Sequence, residues 1–250
     1  MKRSAGAGAA SLGTGLAASL LALAILASAA PAAASTLPDG FVRLADVDPT
    51  IVQDIRYAGA DNFLGRRLAG YEAGACILTE KAARALASVQ DAVRADGYSL
   101  VVFDCYRPAR AVADMVRWSR QGGPPDPQWH PKVRREKLIA AGYVGSRSAH
   151  SRGSTVDVAL LKTGDAGAAA PACGAAADGM AEFGAGFDCF DGRSRTLFSP
   201  LPPGAKDNRA RLVKAMRTAG FVNYPAEWWH FTLANEPFPG RRFDFPVTGR

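Results

Sequence analysis

Met1-Lys2-Arg3, the apolar run from Leu16 to Ala30 and the triplet Ala32-Ala33-Ala34 make the three parts of an export leader. The run is short for a bilayer span, which takes about 20 apolar residues. No cysteine follows it as a point for lipid attachment. The expectation is a signal peptide over residues 1–34 and one domain over residues 35–250, folded in the periplasm or cell wall space, with no stable membrane insertion of the mature chain. That compartment decides how the cysteines are read. There are four, Cys76, Cys105, Cys173 and Cys189, an even number in a setting where thiols oxidise. No C-x-x-C pair is available for an all-cysteine metal site. Two disulfides are expected, and four cysteines leave three pairings open.

Of the 250 residues, 48% are hydrophobic and 21% charged, which is globular composition and excludes a disordered or collagen-like chain. Without Lys2 and Arg3, 28 basic and 23 acidic side chains leave a charge of +5, spread without basic runs. This argues against a nucleic-acid partner and suits anionic surroundings.

Thr79 can cap a helix in which Ala82, Leu86, Val89 and Val93 recur on one face, closed by Gly97. Ser99–Phe103 reads as a buried strand, followed by a turn and a helix over Ala109–Trp118. A third helix is expected over Lys132–Ala141 and a fourth capped by Asp207 or Asn208 and ended by Gly220. Thr155–Leu160 and Trp228–Leu233 read as strands, Ser146–Ser154 as a loop, and Lys162–Gly179 as an Ala/Gly-rich surface insertion. Helices and strands mix without a βαβ repeat. The expected fold class is α+β, a single domain with a mainly antiparallel sheet flanked by helices.

Only three histidines exist, and two stand in dense polar contexts. His150 lies in Ser148-Ala149-His150-Ser151-Arg152-Gly153-Ser154-Thr155-Val156-Asp157, where a loop turning back into a strand can bring an imidazole and a carboxylate together. His230 ends Glu227-Trp228-Trp229-His230. Two His and one Asp suit Zn²⁺ and leave a fourth position for water. Glu227 would then be the unligated carboxylate that acts as general base. Residues three apart on a strand face opposite ways, so Glu227 must lie in the bend after Pro225, ahead of the strand. His130, in a Pro-rich loop, is expected to be a surface residue. No H-E-x-x-H or G-x-S-x-G is present.

Together, S-x-H-S-R-G-S-x-x-D, the later E-W-W-H and the upstream Tyr106-Arg107-Pro108 resemble the VanX-type D-alanyl-D-alanine dipeptidases. Asp61-Asn62-Phe63, Gly70-Tyr71-Glu72, Gly142-Tyr143-Val144, Phe187-Asp188 and Phe243-Asp244-Phe245-Pro246 follow that family in the same order. The resemblance implies the fold of hedgehog-type and D,D-peptidase domains, with one zinc site at the sheet. It also implies hydrolysis of D-Ala-D-Ala, which the export leader would place in the cell envelope, linked to peptidoglycan turnover. His150, Asp157 and His230 match the zinc ligands, Glu227 the base and Arg107 the oxyanion-stabilising arginine, whose competing reading is an ion pair with Asp104. Ser148 and Tyr71 match residues that hold the substrate carboxylate, Asp188 an acceptor for its ammonium and Tyr57 a further pocket tyrosine. Two alternatives stand beside this: a D,D- or L,D-carboxypeptidase acting on peptidoglycan stem peptides, and a non-catalytic zinc module that binds cell wall or protein. The expected bridges are Cys76–Cys105, across a helix–strand hairpin, and Cys173–Cys189, pinning the insertion beside Asp188. Neither contains a ligand, so reduction is expected to relax substrate selectivity before metal binding.

Overall fold

Thr79 accepts a hydrogen bond from the Ala82 amide on its side-chain oxygen, and the chain turns there from a short strand into one of its two 16-residue helices. The computed structural model describes residues 37–164 and 167–249, so the expected signal peptide lies outside the described residues, as do two positions of the insertion. In chain order the elements are β1 (Phe41–Arg43), α1 (Leu44–Val47), β2 (Val52–Gln53), β3 (Ile77–Thr79), α2 (Glu80–Ala95), β4 (Tyr98–Asp104), α3 (Ala109–Arg120), β5 (Thr155–Lys162), α4 (Pro203–Thr218), β6 (Phe221–Asn223) and β7 (His230–Leu233). Five strands form one sheet in the order β2-β4-β5-β7-β6. Only the β2–β4 pair is parallel. Strands β1 and β3 make a separate antiparallel pair. The fold is the α+β sheet-and-helix arrangement expected.

The inner strands read as continuous apolar runs because both their faces are covered. Leu100–Phe103 and Val156–Leu160 are buried throughout. Helices α2 and α4 pack on each other and on the sheet, with Ala82, Leu86, Val89 and Val93 inward as the period predicts. An aromatic layer includes Phe187, stacked on Phe103 and edge-on to Trp229. Trp228 stacks on Phe183 with ring centroids 3.9 Å apart. No helix among the described residues is long and apolar enough to cross a membrane.

Several expectations need correcting. Lys132–Ala141 forms only one 3₁₀ turn, Arg135–Lys137, because neighbours take its backbone groups: the Arg135 amide donates to Gly123 O and Ser119 Oγ donates to Arg135 O. Helix α4 starts a turn earlier than its polar residues suggest, with Pro at its first position. Asn208 instead lies within it, tied by its amide to Glu182 O. Trp228 and Trp229 precede β7 in a turn, where both are buried. The insertion is not wholly superficial, since Cys173 and Ala175 are buried and Ala175 pairs with Phe187. His130 is buried, its Nδ1 2.7 Å from Val133 O. The two short β-pairs at the start of the domain carried too few residues to show a pattern.

Candidate active site

Register builds the site. Asp104 of β4 stands opposite Asp157 of β5, and Asp157 opposite His230 of β7. Directly opposed residues share a face and bring their side chains within reach of each other. His150 reaches the same point from the 3₁₀ turn Ala149–Arg152, which Ser148 caps by accepting from the His150 amide. Gly153 closes that turn with φ +80°, and a Cβ there would fall 2.2 Å from the Phe41 ring. Only glycine lets the chain swing from His150 into β5 at this spot.

His150 Nδ1 lies 2.7 Å from Cys105 O. A carbonyl only accepts, so Nδ1 carries the proton and Nε2 presents a lone pair. His150 Nε2, His230 Nδ1 and Asp157 Oδ1 form a triangle with sides of 3.2, 3.3 and 3.0 Å. A tetrahedron with ligand bonds of about 2.0–2.1 Å has edges of about 3.3 Å. These three atoms fit three corners of a tetrahedral metal site, and the donor set, two imidazoles and one carboxylate, leaves the fourth corner to the pocket. Burial alone would raise the Asp157 carboxyl. The charges and hydrogen bonds of His150 and His230 outweigh it and hold the group below the usual carboxylate range. Burial disfavours charge on His230, yet its hydrogen bond to Asp157 lifts its pKa above the ordinary value.

Glu227 sits in the bend between β6 and β7. Its amide donates to Tyr224 O and its carbonyl accepts from Asn223 Nδ2 and from the His230 amide. The bend turns its carboxylate towards His230, with Oε2 3.5 Å from Nδ1. Burial pushes the Glu227 carboxyl up to about 7, with His230 and Arg107 pulling it down and Asp157 pushing it up. Such a carboxyl can accept and release a proton near neutrality.

Arg107 follows β4 in a turn whose amide donates to His150 O. Its Nε donates to Asp104 Oδ2 at 2.8 Å, its Nη2 stands 3.6 Å from Asp157 Oδ2, and its guanidinium lies 4.8 Å over the Tyr57 ring. The pair with Asp104 and a site role are therefore compatible: Asp104 grips the Nε edge and aims the rest of the fork at the triangle. Burial opposes the charge on Arg107, but Tyr57, Asp104, Tyr71 and Asp157 around it raise its pKa well above normal.

A cavity of about 320 Å³ opens on this cluster, lined by Tyr57, Arg107, Ser148, His150, Asp157, Asp188, Glu227 and His230 among others. Asp188 lies at its wall with φ +59°, the left-handed region that a non-glycine residue occupies at a cost. Tyr57 Oη donates to Asp188 Oδ2 at 2.8 Å. Burial and the Asp157 charge push the Asp188 carboxyl well above its ordinary range, so the group favours its neutral form until a cation beside it stabilises the carboxylate. Tyr71 is elsewhere. It is buried, does not line the cavity, and donates its hydroxyl to Asp104 Oδ1 at 2.5 Å. Its ring meets that of Tyr57 edge-on, with centroids 5.8 Å apart. Disulfides join Cys76 to Cys105 and Cys173 to Cys189.

Sequence reasoning treated Asp104 only as a rival partner for Arg107, yet it is fully buried and grips Arg107 and Tyr71 together. A carboxylate ending an apolar strand was the available signal. Tyr143, part of the Gly142-Tyr143-Val144 match, also lines the cavity, as do Phe190 and Tyr224, which carried no signal.

The sequence profile described as D-ala-D-ala dipeptidase, of peptidase family M15, matches residues 38–248. The chain is 35% identical over 210 residues to a D-alanyl-D-alanine dipeptidase of Enterococcus faecium, covering 83% of this chain and 98% of the relative. A dipeptidase of the same name from Streptomyces coelicolor is 37% identical, with 78% and 91% covered. One from Escherichia coli is 34% identical, with 77% and 83% covered.

Proposed function

The chain belongs to the D-Ala-D-Ala dipeptidase family of M15 metallopeptidases, and from that premise we propose that it hydrolyses D-Ala-D-Ala to D-alanine with one Zn²⁺ per chain. The observation that carries this is the convergence, in one pocket, of a three-donor triangle, a carboxyl poised near neutrality and a half-buried guanidinium, with the Tyr57-bonded carboxyl group of Asp188 on the same wall.

His150 Nε2, Asp157 Oδ1 and His230 Nδ1 would hold the metal. Zinc bound there would acidify a water molecule and polarise the scissile carbonyl. Glu227 takes a proton from the attacking water and delivers it to the departing amide nitrogen as the C–N bond breaks. Arg107 donates to the oxygen that becomes negative during attack, its orientation already set by Asp104 and Tyr57. Asp188 accepts the substrate ammonium, with Tyr57 fixing the carboxylate. A carboxylate at that end disfavours an acylated amine, which is why the dipeptidase reading stands ahead of a carboxypeptidase. Glu227 and Arg107 have no use in a module that only binds.

The reaction belongs to the cell envelope if the leader acts as read, and the dipeptide there comes from peptidoglycan turnover. Two assays test the reading: D-Ala-D-Ala against a stem pentapeptide, each with and without chelator, and fractionation of cells expressing the full chain. D-alanine release from the dipeptide alone, abolished by chelator and restored by zinc, is expected. Faster release from the pentapeptide would make it a carboxypeptidase, and recovery in the cytoplasm would remove the envelope role.

A further inference from the structure

The pocket has a partner for a substrate ammonium in Asp188, but a zwitterionic dipeptide carries a carboxylate about 7 Å from it at the other end of the chain. Two arginines line the pocket, Arg107 and Arg147. Arg107 is committed: Asp104 holds its Nε, Asp157 faces its Nη2 and Met115 Sδ lies 3.6 Å from Nη1. Tyr71, assigned to the carboxylate by resemblance, is buried and donates its hydroxyl to Asp104. The anion-binding end is therefore short of a group.

Arg147 differs from its neighbours. Arg152 is clamped on Glu236, Arg110 on Asp244, and Arg66 and Arg117 on Asp114. The Arg147 side chain makes no hydrogen bond or ion pair among the described residues, although it lines a cavity with three carboxylates. Its backbone position is tightly specified, since a Cβ on Gly145 would lie 2.7 Å from Arg147 O. The next residue is Ser148, whose oxygen accepts from the His150 amide and whose hydroxyl proton is left to donate. A guanidinium and a hydroxyl on consecutive residues, beside the metal ligand His150 and on the cavity wall, make a donor pair suited to a carboxylate.

We propose that Arg147, with Ser148, binds the C-terminal carboxylate of the dipeptide and sets the preference for a free acid at that end. The proposal rests on the dipeptidase reading above. The exposed Arg147 side chain forms no hydrogen bond or ion pair with the metal ligands or Glu227 among the described residues, so its contribution lies in substrate binding and leaves the chemical step in place.

The test is steady-state kinetics on D-Ala-D-Ala and on its C-terminal amide, with wild-type enzyme, Arg147→Ala and Arg147→Lys. Losing one charged hydrogen-bonding partner predicts KM for the free acid about 10- to 100-fold higher in Arg147→Ala, with kcat within about threefold. KM for the amide is expected to be unchanged, so the discrimination between acid and amide collapses. Arg147→Lys is expected to recover part of it. A merely structural arginine would shift acid and amide alike. An Arg147→Ala enzyme with KM for the free acid within about twofold of wild type overturns the assignment while leaving the dipeptidase reading intact. A wild-type enzyme inert towards the dipeptide overturns both.

Discussion

Single side chains in this pocket do separable jobs, and substitutions should divide them. Glu227 ligates nothing in the triangle, and its carboxylate is placed to move a proton. Glu227→Gln is expected to bind zinc at wild-type stoichiometry and to lose at least ~10²-fold in kcat, the low end for removing a general base, measured by elemental analysis beside turnover. His230→Ala removes one corner of the triangle and should lose metal and activity together. Full zinc occupancy in that protein would refute the ligand set. Arg107→Lys keeps the charge but loses the planar fork that spans Asp104 and the pocket. Its kcat should fall by about 10²-fold or more, and near-normal turnover would confine Arg107 to its pair with Asp104.

At the scale of elements, the site depends on contacts that fasten one segment to another. Cys105 supplies the carbonyl that orients His150 and is bridged to Cys76 beside β3. Reduction, expected to relax selectivity before metal binding, thus has a route to the metal through the first bridge. Replacing Cys76 and Cys105 by Ser should cost about 3–4 kcal/mol for a 29-residue separation and weaken zinc binding by up to about tenfold, since a second partner of a ligand is loosened. The Cys173, Cys189 pair replaced likewise should cost about 3 kcal/mol and leave zinc affinity alone, as titration with a chelating indicator would show. Asp114 on α3 accepts from both Arg66 Nη atoms and the Ala69 amide, clasping that loop to the helix. The Arg66 hydrogen bond holds the Asp114 carboxyl below its model-compound value of 3.8, against burial. A depressed folded pKa stabilises the fold above the unfolded value, and that stability is lost as pH falls through the folded one. Asp114→Asn is thus expected to destabilise by about 1–2 kcal/mol at pH 7, with the difference from wild type shrinking as the pH of denaturant titrations falls below the ordinary carboxylate range.

Across the whole molecule, two cross-strand neighbours and one turn converge on a single metal-binding point, so the metal should stabilise the domain as a unit. Zinc at 100 times its dissociation constant contributes about 2.7 kcal/mol. For a domain of this size that corresponds to about 5–10 °C in Tm, lost on chelation and regained on adding zinc in a thermal scan. An unchanged Tm would place the ion's binding outside the folded core.

What the sequence determined by itself were the features carried by local chemistry. The period of α2, its Thr79 cap, the apolar runs of β4 and β5, and the placing of Glu227 ahead of β7 each follow from neighbours along the chain. The polar clusters around His150 and His230 marked the site because such residues are costly to gather without a use. Tertiary structure decided what depends on contacts between distant segments. The single turn at Arg135–Lys137 where a helix was expected and the hydrogen bond that ties Tyr71 to Asp104 arise from partners far away in sequence, and His130 is buried edge-on to Trp118 of α3. A residue's type limits which bonds it can make, but only the packed chain selects the atom at the other end.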